Sequence, residues 1–204
     1  MPNLPTDPLP ADYVLRLTER ALDPNNISAR RCFLCGGEPT KGKGEHVIPK
    51  WLQNRFDLWD SKLRLLNGSL LPYRNLRVPA CSVCNGEVLG KTENYVSSLS
   101  ADDILEWSVA DSYEVGRWMA KILVGILYKE AALLHDQCQP ELGAIFPPDA
   151  MDEMLLLHLL LQSWRKLILF RAIHTQHPFT LYVYALEVDQ DYGSFNISTN
   201  IFGK

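Results

Sequence analysis

Apolar residues recur at helical spacing in three stretches of this chain and alternate in several shorter ones. Residues 13–22 carry Val14, Leu15, Leu17 and Leu22 and predict a short helix that ends near Asp23-Pro24. Residues 113–135 place Val115, Met119, Ile122, Leu123, Ile126, Leu127 and Leu134 on one side of a long helix. Residues 149–164 predict a second long helix, with Asp149 as its N-cap and Asp152 and Glu153 in its first turn. Between the first two, the pattern shortens. Residues 45–48 predict a strand closed by Pro49, and residues 61–71 a strand, a turn at Asn67-Gly68 and a strand. Residues 75–78 predict another strand, and a helix follows from Cys81 through Cys84, Asn85, Val88 and Leu89 towards Tyr95. Trp51, Leu52, Phe56, Leu58 and Trp59 read as packing of a small core. Three further strands are expected at 167–173, 179–188 and 195–202.

The fold class is therefore α+β. The expected divisions are an N-terminal arm and short helix at 1–29, a strand–loop–strand–helix unit at 30–96, and a helical plus β region at 97–204. Residues 1–12 are Pro-rich and extended, 25–29 a turn-rich link, and 140–148 a connection. A soft boundary is expected near 97–103.

Composition narrows the class. Hydrophobic residues make up 47% and charged residues 22% of the 204, enough for a packed core. The longest apolar runs, 122–127 and 155–161, are too short and interrupted to span a bilayer, and the N-terminus has no signal-like run. The expectation is a cytoplasmic protein without a membrane partner. Net charge is −4, but residues 29–91 hold eleven Lys and Arg against five Asp and Glu. That segment is +6, which leaves −10 for the remainder. A basic module on an acidic chain suits local contact with phosphates, and Lys50, Arg55, Arg74, Arg77 and Lys91 are its candidate nucleic-acid contacts.

The chemistry concentrates between Cys32 and Asn85. Cys32-Phe33-Leu34-Cys35 and Cys81-Ser82-Val83-Cys84 are two C-x-x-C pairs, with Cys138 left over. An odd cysteine and this spacing argue for metal ligation rather than a disulfide framework. Each pair lets two thiolates on one bend reach one ion, and two pairs close a tetrahedron, which selects structural zinc. Between the pairs lie Gly44-Glu45-His46-Val47-Ile48-Pro49 and Asn75-Leu76, and Asn85 follows the last cysteine. His46 can take a proton from water near neutral pH. Glu45 and the Asn85 amide offer hard oxygens to a divalent ion. Glu45 and His46 are adjacent, so they serve one site only if the strand ends, bulges or twists there.

These motifs resemble the HNH endonuclease family, in its zinc-containing branch: Cys-x-x-Cys, Glu-His-x-x-Pro, Asn, then Cys-x-x-Cys-Asn, over residues 30–95. The resemblance implies a zinc-stapled, treble-clef-like ββα-metal nuclease core; beyond it the apolar pattern predicts an α+β region with two long helices and a small antiparallel sheet. It implies His46 as general base, Glu45 and Asn85 as ligands of catalytic Mg2+ or Mn2+, Asn75 as the residue that ties the loop between the strands, and Cys32, Cys35, Cys81 and Cys84 as zinc ligands. Glu stands where Asp is commoner, and Asn where the third signature residue is often His. Asn75 lies one residue further from Cys81 than in many members, and Lys91 substitutes for the Asn-x-x-Lys pattern. The implied activity is phosphodiester hydrolysis in DNA, with roles in restriction or phage defence. RNA cleavage, and a zinc-ribbon-like module that binds nucleic acid or protein without cutting, are the alternatives. A homodimer or a defence-system partner protein is left open.

Overall fold

The computed structural model describes residues 11–42, 44–100, 106–131 and 133–162. The three expected C-terminal strands, and with them the small C-terminal sheet, lie outside the described residues.

The chain begins with helix α1, Ala11–Leu22, whose Val14, Leu17, Ala21 and Leu22 are buried. The link after it is itself a short helix, α2, Pro24–Ser28. Asp23 caps it by accepting the Asn25 N–H, and Pro24 supplies a helical φ at the first position. The turn-rich reading of 25–29 missed that cap.

Strand β1, Gly44–His46, pairs antiparallel with β4, Arg77–Pro79, in the register Gly44 with Pro79, Glu45 with Val78 and His46 with Arg77. The Val47 N–H donating to the Leu76 carbonyl at 3.0 Å extends the pair by one contact. Between them lie α3, Lys50–Arg55, and a hairpin of β2, Lys62–Arg64, with β3, Leu70–Pro72. The hairpin turns where expected. Gly68 takes a φ of 79°, and the Asn67 side chain accepts from the Ser69 N–H. A 3₁₀ turn at Tyr73–Asn75 occupies the start of the stretch expected to be strand, and extended backbone resumes only at Arg77.

The helix after Cys81 is of two kinds. Val83–Leu89 is a π-helix, and α4, Gly90–Ser98, continues it with α-helical bonding. Helix α5, Val109–Glu130, opens on a capping box between Ser108 and Asp111. The last long helix becomes α-helical later than its pattern suggests. Pro148–Met154 is 3₁₀, with Pro147 rather than Asp149 at its start, and α6 covers Leu155–Gln162. Two prolines at 147–148 favour the tighter turn at this entry.

One apolar cluster joins these elements. It takes Phe33 and Leu34 from the first cysteine pair, Val47 and Val78 from the strands, Val88 and Leu89 from the π-helix, Val124 and Tyr128 from α5, and Leu157 and Leu160 from α6. The core thus crosses residue 97. Among the described residues no helix is long and apolar enough to cross a membrane.

Candidate functional site

The four cysteines come together. Cys32, Cys35, Cys81 and Cys84 place their sulfurs all within 4.8 Å of one another, with Cys35 and Cys81 Sγ 3.9 Å apart. Four sulfurs about 2.3 Å from a tetrahedral zinc stand about 3.8 Å apart, so the cluster could hold that ion.

Backbone bonds build it. Gly36 N–H donates to the Cys32 carbonyl at 2.7 Å, and Cys32 N–H to the Gly37 carbonyl at 2.8 Å. Gly36 has a φ of 65°, and a Cβ there would stand 2.6 Å from the Arg20 carbonyl oxygen, so only glycine fits. Phe33 N–H reaches the Pro79 carbonyl at 2.9 Å, which brings the first pair to the end of β4 and so to Cys81.

Without a cation these thiols are in conflict. The hydrogen bond with Cys35 and burial push Cys32 up to about 11. Hydrogen bonds with Cys32 and Cys35 push Cys84 up as well, while the bond from Cys32 holds Cys35 far below the thiol range. A zinc ion held there would remove the conflict, since each thiolate would face the metal.

The outer side of the first pair is held by helices. Tyr128 Oη donates to the Arg31 carbonyl at 2.7 Å and Arg20 Nε to that of Cys35 at 2.7 Å. His158 Nε2 lies 2.9 Å from the Phe33 carbonyl, and Gln162 Nε2 donates to that of Leu34. His158 is fully buried, between the backbone of the cysteine loop and Thr18 of α1.

Glu45 and His46 part company. The β1–β4 ladder is regular, so neighbouring residues project to opposite faces. Glu45 goes inward and is 5% exposed. There its Oε1 lies 2.6 Å from Lys121 Nζ of α5, and the same ammonium lies 2.7 Å from Glu93 Oε1 of α4. Burial pushes the Glu45 carboxyl up to about 7 against the pull of Lys121. Neither Lys121 nor Glu93 stood out in the sequence, because nothing local marks a helical lysine as the partner of a carboxylate 76 positions before it.

The His46 ring lies 6.2 Å from the Trp59 ring. Both its nitrogens are buried, and neither finds a hydrogen-bond partner among the described residues. Burial and the charges of Arg77, Lys50 and Lys121 lower its pKa to about 4, so the ring is neutral at pH 7.

The remaining expected residues lie on several elements. Asn85 is half-buried in the π-helix, where its carbonyl accepts the Gly90 N–H. Asn75 is exposed at the end of its 3₁₀ turn. Arg74 pairs with Asp60, Arg77 Nε donates to the Arg74 carbonyl at 3.3 Å, and the Arg55 guanidinium lies 5.4 Å from the centre of the Trp51 ring. Trp51 in turn stacks on Trp118 of α5 at 5.8 Å. Lys50 and Lys91 are exposed.

A divalent ion bound by Glu45 does not fit this arrangement, since the carboxylate already faces an ammonium at ion-pair distance. No protein-family model, no curated protein and no solved structure matches the chain.

Proposed function

We propose that this chain is a zinc-stapled endonuclease of HNH type that hydrolyses phosphodiester bonds in DNA, with His46 as general base. The order of parts supports it: a cysteine pair, an antiparallel strand pair bearing His46, then a helix entered through the second cysteine pair. Zinc would act only as a staple.

The observation that carries the reading is the state of His46. A neutral imidazole with both nitrogens unpartnered among the described residues, under the charges of Lys50 and Arg77, suits an anionic ligand and a water to be deprotonated. A base with a pKa near 4 is weak at pH 7. A phosphate bound beside it would offset the two cations and draw that pKa up towards the working range. Lys50 and Arg77 would also oppose the negative charge that grows on the phosphoryl oxygens. Arg55, Arg74 and Lys91 would contact the backbone further away, and Asn85 would offer a polar contact from the π-helix, a form of helix frequent at functional sites. Because the ring nitrogens are buried, substrate entry would need a local movement around the ring.

The test is cleavage of supercoiled plasmid, with and without added Mg2+ or Mn2+, by the wild type and His46→Ala. Loss of cutting in the variant is expected. Equal cutting removes His46 from the mechanism. A panel of duplex DNA, single-stranded DNA and RNA separates DNA from RNA cleavage.

A second reading is favoured by the pairing of Glu45 with Lys121: a zinc-bearing module that binds nucleic acid or protein and cuts nothing. It predicts no cleavage of any substrate in the panel, with binding that weakens in Lys50→Ala and Arg77→Ala.

A further inference from the structure

The ammonium of Lys121 sits among four oxygens. Two are carboxylate oxygens, Glu45 Oε1 at 2.6 Å and Glu93 Oε1 at 2.7 Å. Two are backbone carbonyls, His46 at 2.5 Å and Val47 at 3.1 Å. The side chain is 2% exposed. Carboxylates and carbonyls drawn from separate elements, converging on one buried point, are the donor set of a hard cation. Here the cation is covalently attached to α5.

The geometry points to Lys121 as the built-in cation of this acidic site, occupying the place of the divalent ion that Glu45 would otherwise bind. The inference deepens the nuclease reading by assigning Glu45 to the lysine rather than to a metal.

Two further features support it. A dication on Glu45 Oε1 would lie close to a buried ammonium, where repulsion is strong because solvent screening is weak. The hollow beside the ammonium is walled by Thr92, Glu93, Arg117 and Trp118; of these only Glu93 is an acid, already 2.7 Å from the ammonium, while Arg117 is paired with Glu114. The upward push on the Glu45 carboxyl is in keeping with both, since the acid pair then carries less than two full negative charges. A tethered cation also pins the His46 and Val47 carbonyls, which fixes the end of β1 where His46 stands.

The test is binding, not cleavage. Mg2+ is titrated into the intact, zinc-loaded wild-type chain while the 15Nζ ammonium resonance of Lys121, slow to exchange because it is buried, is followed. No saturable change at millimolar Mg2+ is expected. A saturable displacement of that resonance overturns the proposal, because the ion has then taken Glu45 from the lysine. In a second arm, Lys121→Gln is assayed for Mn2+ uptake, with circular dichroism and zinc content as controls. It should gain one Mn2+ per chain that the wild type lacks, and Lys121→Gln/Glu45→Gln should lose it again. A folded Lys121→Gln that gains none also overturns the proposal; if that variant does not fold, the wild-type titration decides. Equal cleavage by wild type and His46→Ala would end the nuclease reading and leave these results standing.

Discussion

His158 Nε2 lies 2.9 Å from the carbonyl oxygen of Phe33, while its Nδ1 lies 3.1 Å from Thr18 Oγ1. A carbonyl can only accept, so Nε2 carries the hydrogen and Nδ1 accepts from the threonine hydroxyl. One imidazole on α6 thus ties α1 to the cysteine loop. His158→Leu keeps the volume but takes the partner from two buried groups. We expect it to lower stability by roughly 1–3 kcal/mol for each group left unsatisfied, read from urea unfolding. Thr18→Val should lose less, because the Phe33 carbonyl keeps its donor.

The thiolate cluster makes a prediction about metal. The purified chain should carry one zinc per molecule, and chelation strong enough to strip it should unfold the region around both cysteine pairs, seen as a lowered melting temperature. Cys84→Ser should lose zinc and stability together. Cys138→Ser should change neither, since Cys138 is exposed and outside the cluster.

Gly125 of α5 packs on Val47, next to His46. A Cβ at 125 would stand 3.0 Å from both Val47 methyl carbons, and Val47 is fully buried with little room to yield. Gly125→Ala should therefore destabilise the protein although alanine is the better helix former by about 1 kcal/mol. On a Val47→Ala background the contact is relieved, and the same substitution should become stabilising. Thermal melts of the four proteins in the cycle check the reversal of sign.

His46 makes stability depend on pH. Its folded pKa, about 4, lies below its ordinary 6.5, chiefly because of burial. The unfolded chain therefore binds the proton more readily. The contribution of neutral His46 is present above about 6.5 and is lost as pH falls through about 4. Glu45 works the other way, from 4.5 to about 7, because its carboxyl is raised by burial. Comparing wild type with His46→Gln isolates the histidine: between pH 7 and pH 4.5 the wild type should lose more stability than the variant. Equal losses would show that the ring is not held neutral.

Local chemistry was legible along the chain. C-x-x-C spacing reads directly because two thiolates on one bend share an ion, and the turn at Asn67-Gly68 because glycine reaches a positive φ. The helix of 113–135 was legible in its 3.6-residue repeat, though its start at Ser108 depended on a capping box. The tertiary structure decided which face each polar residue took. A regular ladder sends Glu45 and His46 to opposite faces, and the fold then delivers Lys121 and Glu93 to the buried carboxylate. Tyr128, His158 and Gln162 reach the cysteine loop in the same way, from about a hundred or more positions along the chain. Such partners leave no trace in local periodicity, because burial of a charge selects its counter-charge by proximity in space.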